Sequence, residues 1–597
     1  MLLLLIGFCA PLRAGAQAGP AGTQDLSKNP EWFPRFYRPY QRRVIPDPQL
    51  SNSPIVSQLV SGGKLHLSVA DLRGAVRENN LDIMSARYAA AFADADLMRA
   101  RGGGAPRGGP GIQIPSGLFA GAIGAGLGDA GGLGGFTTAG GITGGARQVF
   151  VRPRGSLDPS LLLNFSYDHN TVPLNTTRVA GIPIVTTDTT ALQGRYVQAF
   201  VTGTSISISY NNQIQRSTQQ FLLFNPAAVS TFSFQFTQQV LNGFGRAANK
   251  RFLDVAENDL GIARESLRVQ VSSVLARAES LYWDVAAARE IIRVAEASLA
   301  VARQLFENNK MREEIGRMSR IEVVTAESEV AARERDLILA RANLQLREAD
   351  LKNLLCKEMD AMLGAAEVEV IDPLPEPRDA DIPQPGNALA QAVRERPEIR
   401  QAEGNIRNQE VAVKYADNLL KPTLTVFGVL GSAGLWGDRL IPASVGGAPV
   451  SLPGGLSGAI RQVWKFDYPE YAFGFTLSFP LQNGSARADS ARARLERKEA
   501  ETALQQTRNR IGLEVRRALI SLTQAKSQVE TARTAAALSA QTLAAEEEKL
   551  MAGVATSYDV IRRQRDLLSA QLAEVQARAG YARALVELGR AMGALDK

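Results

Sequence analysis

The chain has 597 residues, of which 45% are hydrophobic and 21% are charged, and this composition excludes both a disordered chain and a polytopic helical membrane protein. Only two histidines and two cysteines are present, which excludes a disulfide framework and a Cys/His metal cluster and leaves little for nucleophilic catalysis. The net charge of +7 comes from interleaved acids and bases, so it does not indicate a nucleic-acid surface. We therefore predict no enzyme activity, and no catalytic, cofactor-binding or metal-binding residues.

The N-terminus is typical of a secretory signal. Residues Leu2–Phe8 are an apolar run, and Ala14-Gly15-Ala16 has the small residues of a cleavage site. Residues 1–16 are therefore predicted to be a signal peptide, and residues 17–64 an N-terminal extension without an assigned role. The sequence leaves lipidation of Cys9 open. No later segment has the roughly 20 apolar residues that a membrane-spanning helix needs.

Proline marks the helical parts of the chain. None occurs between Pro226 and Pro373 or after Pro480, and two long stretches without the strongest helix breaker predict long helices. The segments 158–240 and 423–481 carry few charges and are rich in Thr, Ser, Gly and aromatic residues, which is typical of strands.

Heptad repeats run through both helical blocks. The repeated positions include Leu253, Leu260, Leu267, Val274 and Leu281 in the first block, and Val515, Leu522, Val529, Ala536, Leu543 and Leu550 in the second. This pattern is typical of a coiled coil. The periodicity alone does not distinguish the wall of a helical barrel from an ordinary helical hairpin.

The strand segments alternate between apolar and polar residues. The apolar positions include Leu161, Leu163, Phe165 and Tyr167 in one strand, and Tyr471, Phe473, Phe475, Leu477 and Phe479 in another. Alternation with a period of two is typical of a transmembrane barrel strand, and a soluble sandwich produces the same pattern. The predicted export signal and the near-absence of charge favour the barrel.

The two halves of the chain repeat each other. Asn242-Gly243 and Arg246 match Asn483-Gly484 and Arg487, and the turn Gly316-x-x-Ser319-x-Ile321-Glu322-Val323 matches Gly553-x-x-Thr556-x-Tyr558-Asp559-Val560. Each half runs through a short helix, strands, a long helix, a turn and a return helix. The first half holds an insertion of about 75 residues between its first helix and its last strand.

The predicted organisation is two repeats and a linker. The first repeat, residues 65–363, has a helix at 68–101, a Gly-rich insertion at 102–146, strands within 158–240 and long helices within 246–363. A Pro-rich linker covers residues 364–386. The second repeat, residues 387–597, has a helix at 388–421, strands within 423–481 and long helices within 485–595.

The repeat, the junctions between strand, Asn-Gly and long helix, and the paired turns together resemble the TolC-type outer-membrane efflux proteins over most of residues 65–595. The resemblance implies a mainly α fold with β structure. Long antiparallel coiled-coil helices would form a periplasmic α-barrel, and a homotrimer would build a 12-stranded transmembrane β-barrel from four strands per subunit. Four strands alone cannot close a barrel in lipid, so the chain would need its copies.

The resemblance also implies a function and partners. The protein would be the outer-membrane exit duct of a tripartite efflux or type I secretion system, passive itself, with its helices in the periplasm. Its partners would be outer-membrane lipid, a periplasmic adaptor (membrane fusion protein) and an inner-membrane pump, with no nucleic acid. The sequence does not distinguish drug, metal and protein as the substrate.

Two features depart from the family pattern. Residues 102–146 are Gly-rich where a helix would lead directly into a strand, and we interpret them as a flexible insertion. The first half also has more strand-like stretches than the two that are expected, namely 160–168, 195–201, 204–211 and 229–239. Whether the barrel is larger or carries an extra hairpin is left open.

The turns at 314–322 and 551–560 would be the periplasmic tips. By resemblance, Asp559 matches an acidic gate residue, Glu322 is its counterpart in the first repeat, and Arg562 takes the place of a second acidic residue. The alternative is an ordinary helix start at each turn, with Ser557 as the cap and Asp559 as a first-turn acid, and with Ser319 and Glu322 in the same roles. Candidates for adaptor contact are Gly316, Ser319, Arg320, Ile321, Gly553, Thr556, Ser557 and Tyr558.

Two other classes of protein share parts of this pattern. One is a trimeric structural or adhesive coiled-coil stalk with a barrel anchor, which predicts strands at only one end of the chain. The other is a soluble periplasmic scaffold with a sandwich. Neither explains the two matched halves.

Overall fold

A computed structural model describes residues 37–43, 45–119, 157–178, 180–316, 318–441, 450–552 and 554–595. The predicted signal peptide with Cys9, residues 120–146 of the Gly-rich segment, and Gly553 lie outside the described residues.

Helices make up most of the described part of the molecule. Those of the first half are α1 (Pro54–Leu59), α2 (Val69–Asn79), α3 (Leu81–Arg101), α4 (Arg246–Asn249), α5 (Arg251–Glu314), α6 (Arg320–Leu355) and α7 (Ala361–Ala365). Those of the second half are α8 (Pro385–Glu395), α9 (Pro397–Leu419), α10 (Leu456–Lys465), α11 (Gly484–Met551) and α12 (Ser557–Met592). At ~1.5 Å per residue, α5 and α11 are each about 100 Å long, and α6 and α12 about half of that. Among the described helices, none combines the length and the apolar character needed to cross a membrane.

Each predicted short helix is interrupted once. The helix predicted at 68–101 breaks at Asn80, whose backbone is extended and whose side-chain oxygen accepts hydrogen bonds from the first amides of α3. The helix predicted at 388–421 breaks at Arg396, because the following Pro397 disfavours helical geometry in the residue before it.

The heptad positions form seams between antiparallel helices. Helix α5 packs along α6, and α11 along α12. Val515, Leu522 and Val529 are buried together with Tyr581 and Leu588 of α12. The coiled-coil pattern of the sequence therefore marks the faces on which the helices meet.

The strands are β1 (Val60–Ser61), β2 (Lys64–Leu67), β3 (Ser160–Pro173), β4 (Ile184–Ala199), β5 (Thr204–Ser217), β6 (Phe224–Gln239), β7 (Glu367–Val370), β8 (Thr423–Ile441), β9 (Val450–Leu452) and β10 (Tyr468–Ser478). One sheet has the order β10-β8-β6-β5-β4-β3, and each neighbouring pair is antiparallel. The described part of the chain thus has six long strands in this sheet, whereas the resemblance implied four. The first half supplies four of the six.

A second, small sheet lies against the long helix α5. Its order is β1-β2-β7, with β2 and β7 parallel. Leu65, Leu67 and Val368 of this sheet are buried against Val274 and Tyr282 of α5. The predicted linker at 364–386 is thus partly regular structure, because it contains β7 and the first residues of α8.

Candidate functional site

The two sequence-matched turns meet at one end of the molecule. The hydroxyl oxygen of Ser557, at the start of α12, is 3.5 Å from Oδ1 of Asn309 in α5 and 4.0 Å from Sδ of Met318. Ser557 and Asn309 are each 1% exposed. The structure therefore brings together the candidates of the first turn and those of the second, which are more than 200 positions apart.

The second turn has a complete helix cap. The Thr556 hydroxyl accepts a hydrogen bond from the Asp559 amide at 3.3 Å, and the Asp559 carboxylate accepts from the Thr556 amide at 3.1 Å. This reciprocal pair is a capping box. The cap of α12 is thus Thr556, whereas the sequence alone pointed to Ser557.

The first turn is built differently. Gly316 has φ +74° and its amide donates to the Glu313 carbonyl at 2.8 Å, a backbone conformation that residues with a Cβ rarely adopt. Ser319 stands at the N-cap of α6, but its side chain makes no capping hydrogen bond. Glu322 lies half-buried in the first turn of that helix.

Asp559 is an ionised carboxylate in this setting. Hydrogen bonds from the hydroxyl and amide of Thr556 lower the pKa of Asp559 below its usual value, and the nearby charges of Arg562 and Arg563 add to this effect. Asp559 is half-buried and Arg562 is exposed. A negative charge and a positive charge therefore lie one helical turn apart beside the turn.

The two turns also expose large apolar side chains. The exposed fraction is 66% for Ile315, 75% for Ile321, 81% for Val554 and 63% for Tyr558. Ser319, Arg320 and Thr556 are exposed between them, whereas Ser557 is buried. An exposed apolar patch with a polar rim is typical of a protein-binding surface.

An ion pair between a buried glutamate and an exposed arginine joins the two helical hairpins near this end. Glu329 of α6 is 3% exposed and accepts hydrogen bonds from Nε of Arg333 at 2.9 Å and from Nε of Arg565 in α12 at 3.0 Å. The same contact raises the pKa of Arg565. This link was not predicted, because no local pattern in the sequence relates residues separated by 236 positions.

A second carboxylate that was not predicted from the sequence lies between helices α5 and α9. Asp259 of α5 is 2% exposed; Nδ2 of Asn408 donates to its Oδ1 at 2.7 Å, and its Oδ2 has no hydrogen-bond partner. Burial raises the pKa of Asp259 to about 6. Within the described ranges, no three His, Cys, Asp or Glu side chains are placed to hold a metal ion.

At the opposite end of the long helices, the sheet exposes aromatic residues. Tyr471, Phe473 and Phe475 of β10 are 78%, 91% and 70% exposed. Trp464 of α10 lies over Phe232 of β6, with ring centroids 5.8 Å apart. The molecule therefore has an apolar-faced sheet at one end and an apolar tip at the other.

Comparison with known proteins identifies the family. Residues 204–357 and 388–594 match the family described as "Outer membrane efflux protein", and these ranges cover more than half of the chain. The chain belongs to this family.

Relatives and solved structures agree with this assignment. The chain is 24% identical over 416 residues to the outer membrane efflux protein BepC of Brucella suis biovar 1 (strain 1330), which covers 68% of this chain and 79% of BepC. It has the fold of the outer membrane protein VceC of Vibrio cholerae, with a TM-score of 0.54 and 14% identity over 88% of this chain and 96% of VceC. The comparison with the outer membrane channel CmeC of Campylobacter jejuni gives a TM-score of 0.53 and 14% identity, and it covers 93% of this chain and 94% of CmeC.

The outer membrane efflux family covers the chain unevenly. Its match begins at Thr204, the first residue of β5. Strands β3 and β4 therefore lie outside the match, although they continue the same sheet. The family match includes both long helical hairpins and both turns.

Proposed function

We propose that the protein is the exit duct of a tripartite efflux or type I secretion system in the outer membrane. It acts as a homotrimer without catalysis, and its helices extend into the periplasm. Substrates pass from an inner-membrane pump to the outside through it, and the pump supplies the energy. The observation that carries this proposal is the placement of an apolar-faced sheet and an apolar tip at opposite ends of helices about 100 Å long.

The sheet supports the membrane location. Phe473, the most exposed of the β10 aromatics, and Leu163 of β3 are 91% and 71% exposed, and a face of this kind is stable against lipid. The backbone groups of an edge strand must also be paired at the depth of a membrane. Copies of the chain supply that pairing in a closed barrel.

The turns support a gate and an adaptor contact. In a trimer, three copies of Asp559 near the axis form an anionic ring, which favours cations, and Arg562 partly neutralises it. Glu322 adds a second carboxylate from the first turn. Among the candidates for adaptor contact, Arg320, Ile321, Thr556 and Tyr558 are exposed. Ser557 is buried and supports the turn instead.

The first experiment is to fractionate expressing cells, measure the mass of the detergent-extracted protein, and record its conductance in planar bilayers. We expect an outer-membrane trimer with a small, cation-selective conductance. A monomer in the soluble fraction would contradict the proposal and favour the sandwich scaffold.

Asp559→Asn tests the gate. It removes the charge and keeps an oxygen that can accept the hydrogen bonds of Thr556, so we expect the cation preference to fall while the helix cap persists. Asp566→Asn is the matched control, since Asp566 is an exposed carboxylate farther along α12. If both variants have the same cation selectivity as the wild type, Asp559 is not a gate residue.

Arg565→Ala tests whether the ion pair between the hairpins keeps the tips closed. The variant removes the contact of Glu329 with the other hairpin and keeps its contact with Arg333 on the same helix. Because the two hairpins are then less tightly joined, we expect the conductance to rise severalfold. Arg293→Ala is the control, because Arg293 is exposed and pairs with Glu290 on its own helix, away from the turns. An unchanged conductance for Arg565→Ala would show that the tips close by other contacts.

A further inference from the structure

All six long strands contribute apolar residues to one face of the sheet, in register, and only toward the far ends of β3, β4 and β5 does this face carry His169, Asp188 and Arg216. The cross-strand pairs connect a single row of residues across the whole sheet. The members of this row are Leu161, Tyr196, Ile208, Phe234, Leu430 and Tyr471. Each is apolar or aromatic, from β3 at one edge to β10 at the other. A strand outside the wall of a barrel would have water on both sides, so nothing would require one of its faces to be apolar.

The opposite face is polar over the added strands as well. A row on this face, three residues farther along β3 from Leu161, passes through Asn164, Gln193, Asn211 and Thr231. Strands β3 and β4 therefore contribute to both faces in the same sense as β5 and β6, which the family match includes. The apolar face suits lipid and the polar face suits a water-filled lumen.

The added hairpin begins beside the end of α3. The Leu157 amide, just before β3, donates to the Gly102 carbonyl, just after α3, at 2.9 Å. Strand β3 thus starts where helix α3 ends, although Leu157 and Gly102 are more than 50 positions apart. Strand β3 begins at the helical end of the sheet, as β5 does after it, so β3 and β5 run in the same direction.

The two outer strands of the sheet are complementary edges. Neighbouring strands alternate in direction along the order from β3 to β10, so β3 and β10 run in opposite directions. All but one of the residues of β10 are exposed. Most of the large apolar residues of both edge strands stand at odd-numbered positions on the same face of the sheet, with Leu162 and Val172 of β3 as exceptions. A second copy of this chain therefore fits the β10 edge with its β3 strand, antiparallel and with matching faces.

We infer that β3 of one subunit pairs with β10 of the next, so that each subunit contributes six strands to the barrel wall. This inference rests on the membrane location and the trimer proposed above. Three copies of six strands make eighteen, and because barrel diameter grows roughly in proportion to strand number, the barrel is about one and a half times as wide as one of twelve strands. The helical tips then remain the narrow part of the duct, and the barrel admits bulkier permeants.

Disulfide crosslinking between neighbouring subunits tests the pairing. In a Cys356→Ala background, each of Asn164, Ser166 and Asp168 of β3 is changed to Cys together with each of Ala472, Thr476 and Ser478 of β10. These positions all lie on the polar face, and directly paired residues bring the thiols within reach of a disulfide. We expect covalent multimers on non-reducing gels from one register of pairs and not from the others. Single-cysteine variants control for pairing with Cys9.

The contrasting pairs combine Ser209→Cys or Asn211→Cys of β5 with the same β10 positions. They form crosslinks if β3 and β4 stand away from the wall and β5 is the true edge. Crosslinks from β5 to β10, or a trimer without any crosslink from β3 to β10, would overturn the eighteen-stranded barrel and leave the duct intact. A monomer in detergent would instead refute the proposed trimer itself.

Discussion

The first half of the chain contributes four long strands to the main sheet, and the second half contributes two long strands and the short β9. Both halves nevertheless leave the sheet through the same Asn-Gly junction into a helix about 100 Å long. The junctions differ in detail, since the positive φ falls on the glycine of the first motif, +81° at Gly243, and on the asparagine of the second, +45° at Asn483. The comparison shows that one repeat of this fold can hold an extra hairpin, because β3 and β5 both begin at the helical end of the sheet.

The halves also differ at their tips. The return helix of the second half begins with a capping box at Thr556, whereas that of the first half begins at Ser319 without a side-chain cap. A capped helix start frays less than an uncapped one. The second turn is therefore the better-defined of the two, and it carries the proposed gate residue Asp559.

The largest expected effect comes from a charge on the apolar face of the sheet. Phe165→Arg in β3 and Phe473→Arg in β10 should each cost about 2–4 kcal/mol per subunit, the cost of arginine facing lipid at the middle of a bilayer. We expect both variants to lose most of the assembled trimer in the outer membrane, measured as the fraction of protein that migrates as a trimer in detergent.

Asn211→Arg is the control for these variants, because Asn211 lies on the polar face of β5, and it should assemble like the wild type. If Phe165→Arg assembles normally and Phe473→Arg does not, then β10 faces lipid and β3 does not. The hairpin of β3 and β4 would then lie outside the bilayer.

An intermediate effect concerns a carboxylate that only the first half has. Asp259 in α5 corresponds by the repeat to Ala500 in α11, which is also buried. Burial raises the pKa of Asp259 to about 6, above the value of about 4 in an unfolded chain. The native state therefore holds a proton that the unfolded state loses, and stability falls as the pH rises from about 4 to about 6.

Asp259→Asn should remove this loss, because the amide resembles the protonated acid. We expect the variant to be more stable than the wild type above pH 6, by up to about 3 kcal/mol, and to match it below pH 4. The measurement is the thermal unfolding midpoint across this pH range. Asp254→Asn is the control, since Asp254 is partly exposed and paired with Lys250; a gain there as well would point to general charge effects.

The smallest effect distinguishes the two tips. Thr556→Ala removes a cap that is in use and should destabilise the start of α12 by about 1 kcal/mol. The backbone amides in the first helical turn of α12 should then exchange hydrogen about fivefold faster. Ser319→Ala should change little in α6, because the Ser319 side chain makes no capping bond. Equal acceleration at both tips would show that they are capped alike in the assembled protein.

Much of the fold could be predicted from local patterns. The absence of proline marked the long helices, the heptads marked the faces on which they pack, and the matched turns marked the tips. The breaks at Asn80 and Arg396 were missed, although Pro397 was a visible signal for the second. The change of cap from Ser557 to Thr556 was a matter of one residue, and only the hydrogen bonds of the turn decide it.

The sequence by itself determined the periodicities, the repeat and the position of its insertion, because each of these is written in neighbouring residues. Only the tertiary structure decided how many strands share the sheet, since strand pairing depends on backbone hydrogen bonds between distant segments, as between β6 and β8. It also decided which charges are buried. Glu329 and Asp259 look like ordinary surface acids in the sequence, and packing against another hairpin or helix gives each its environment.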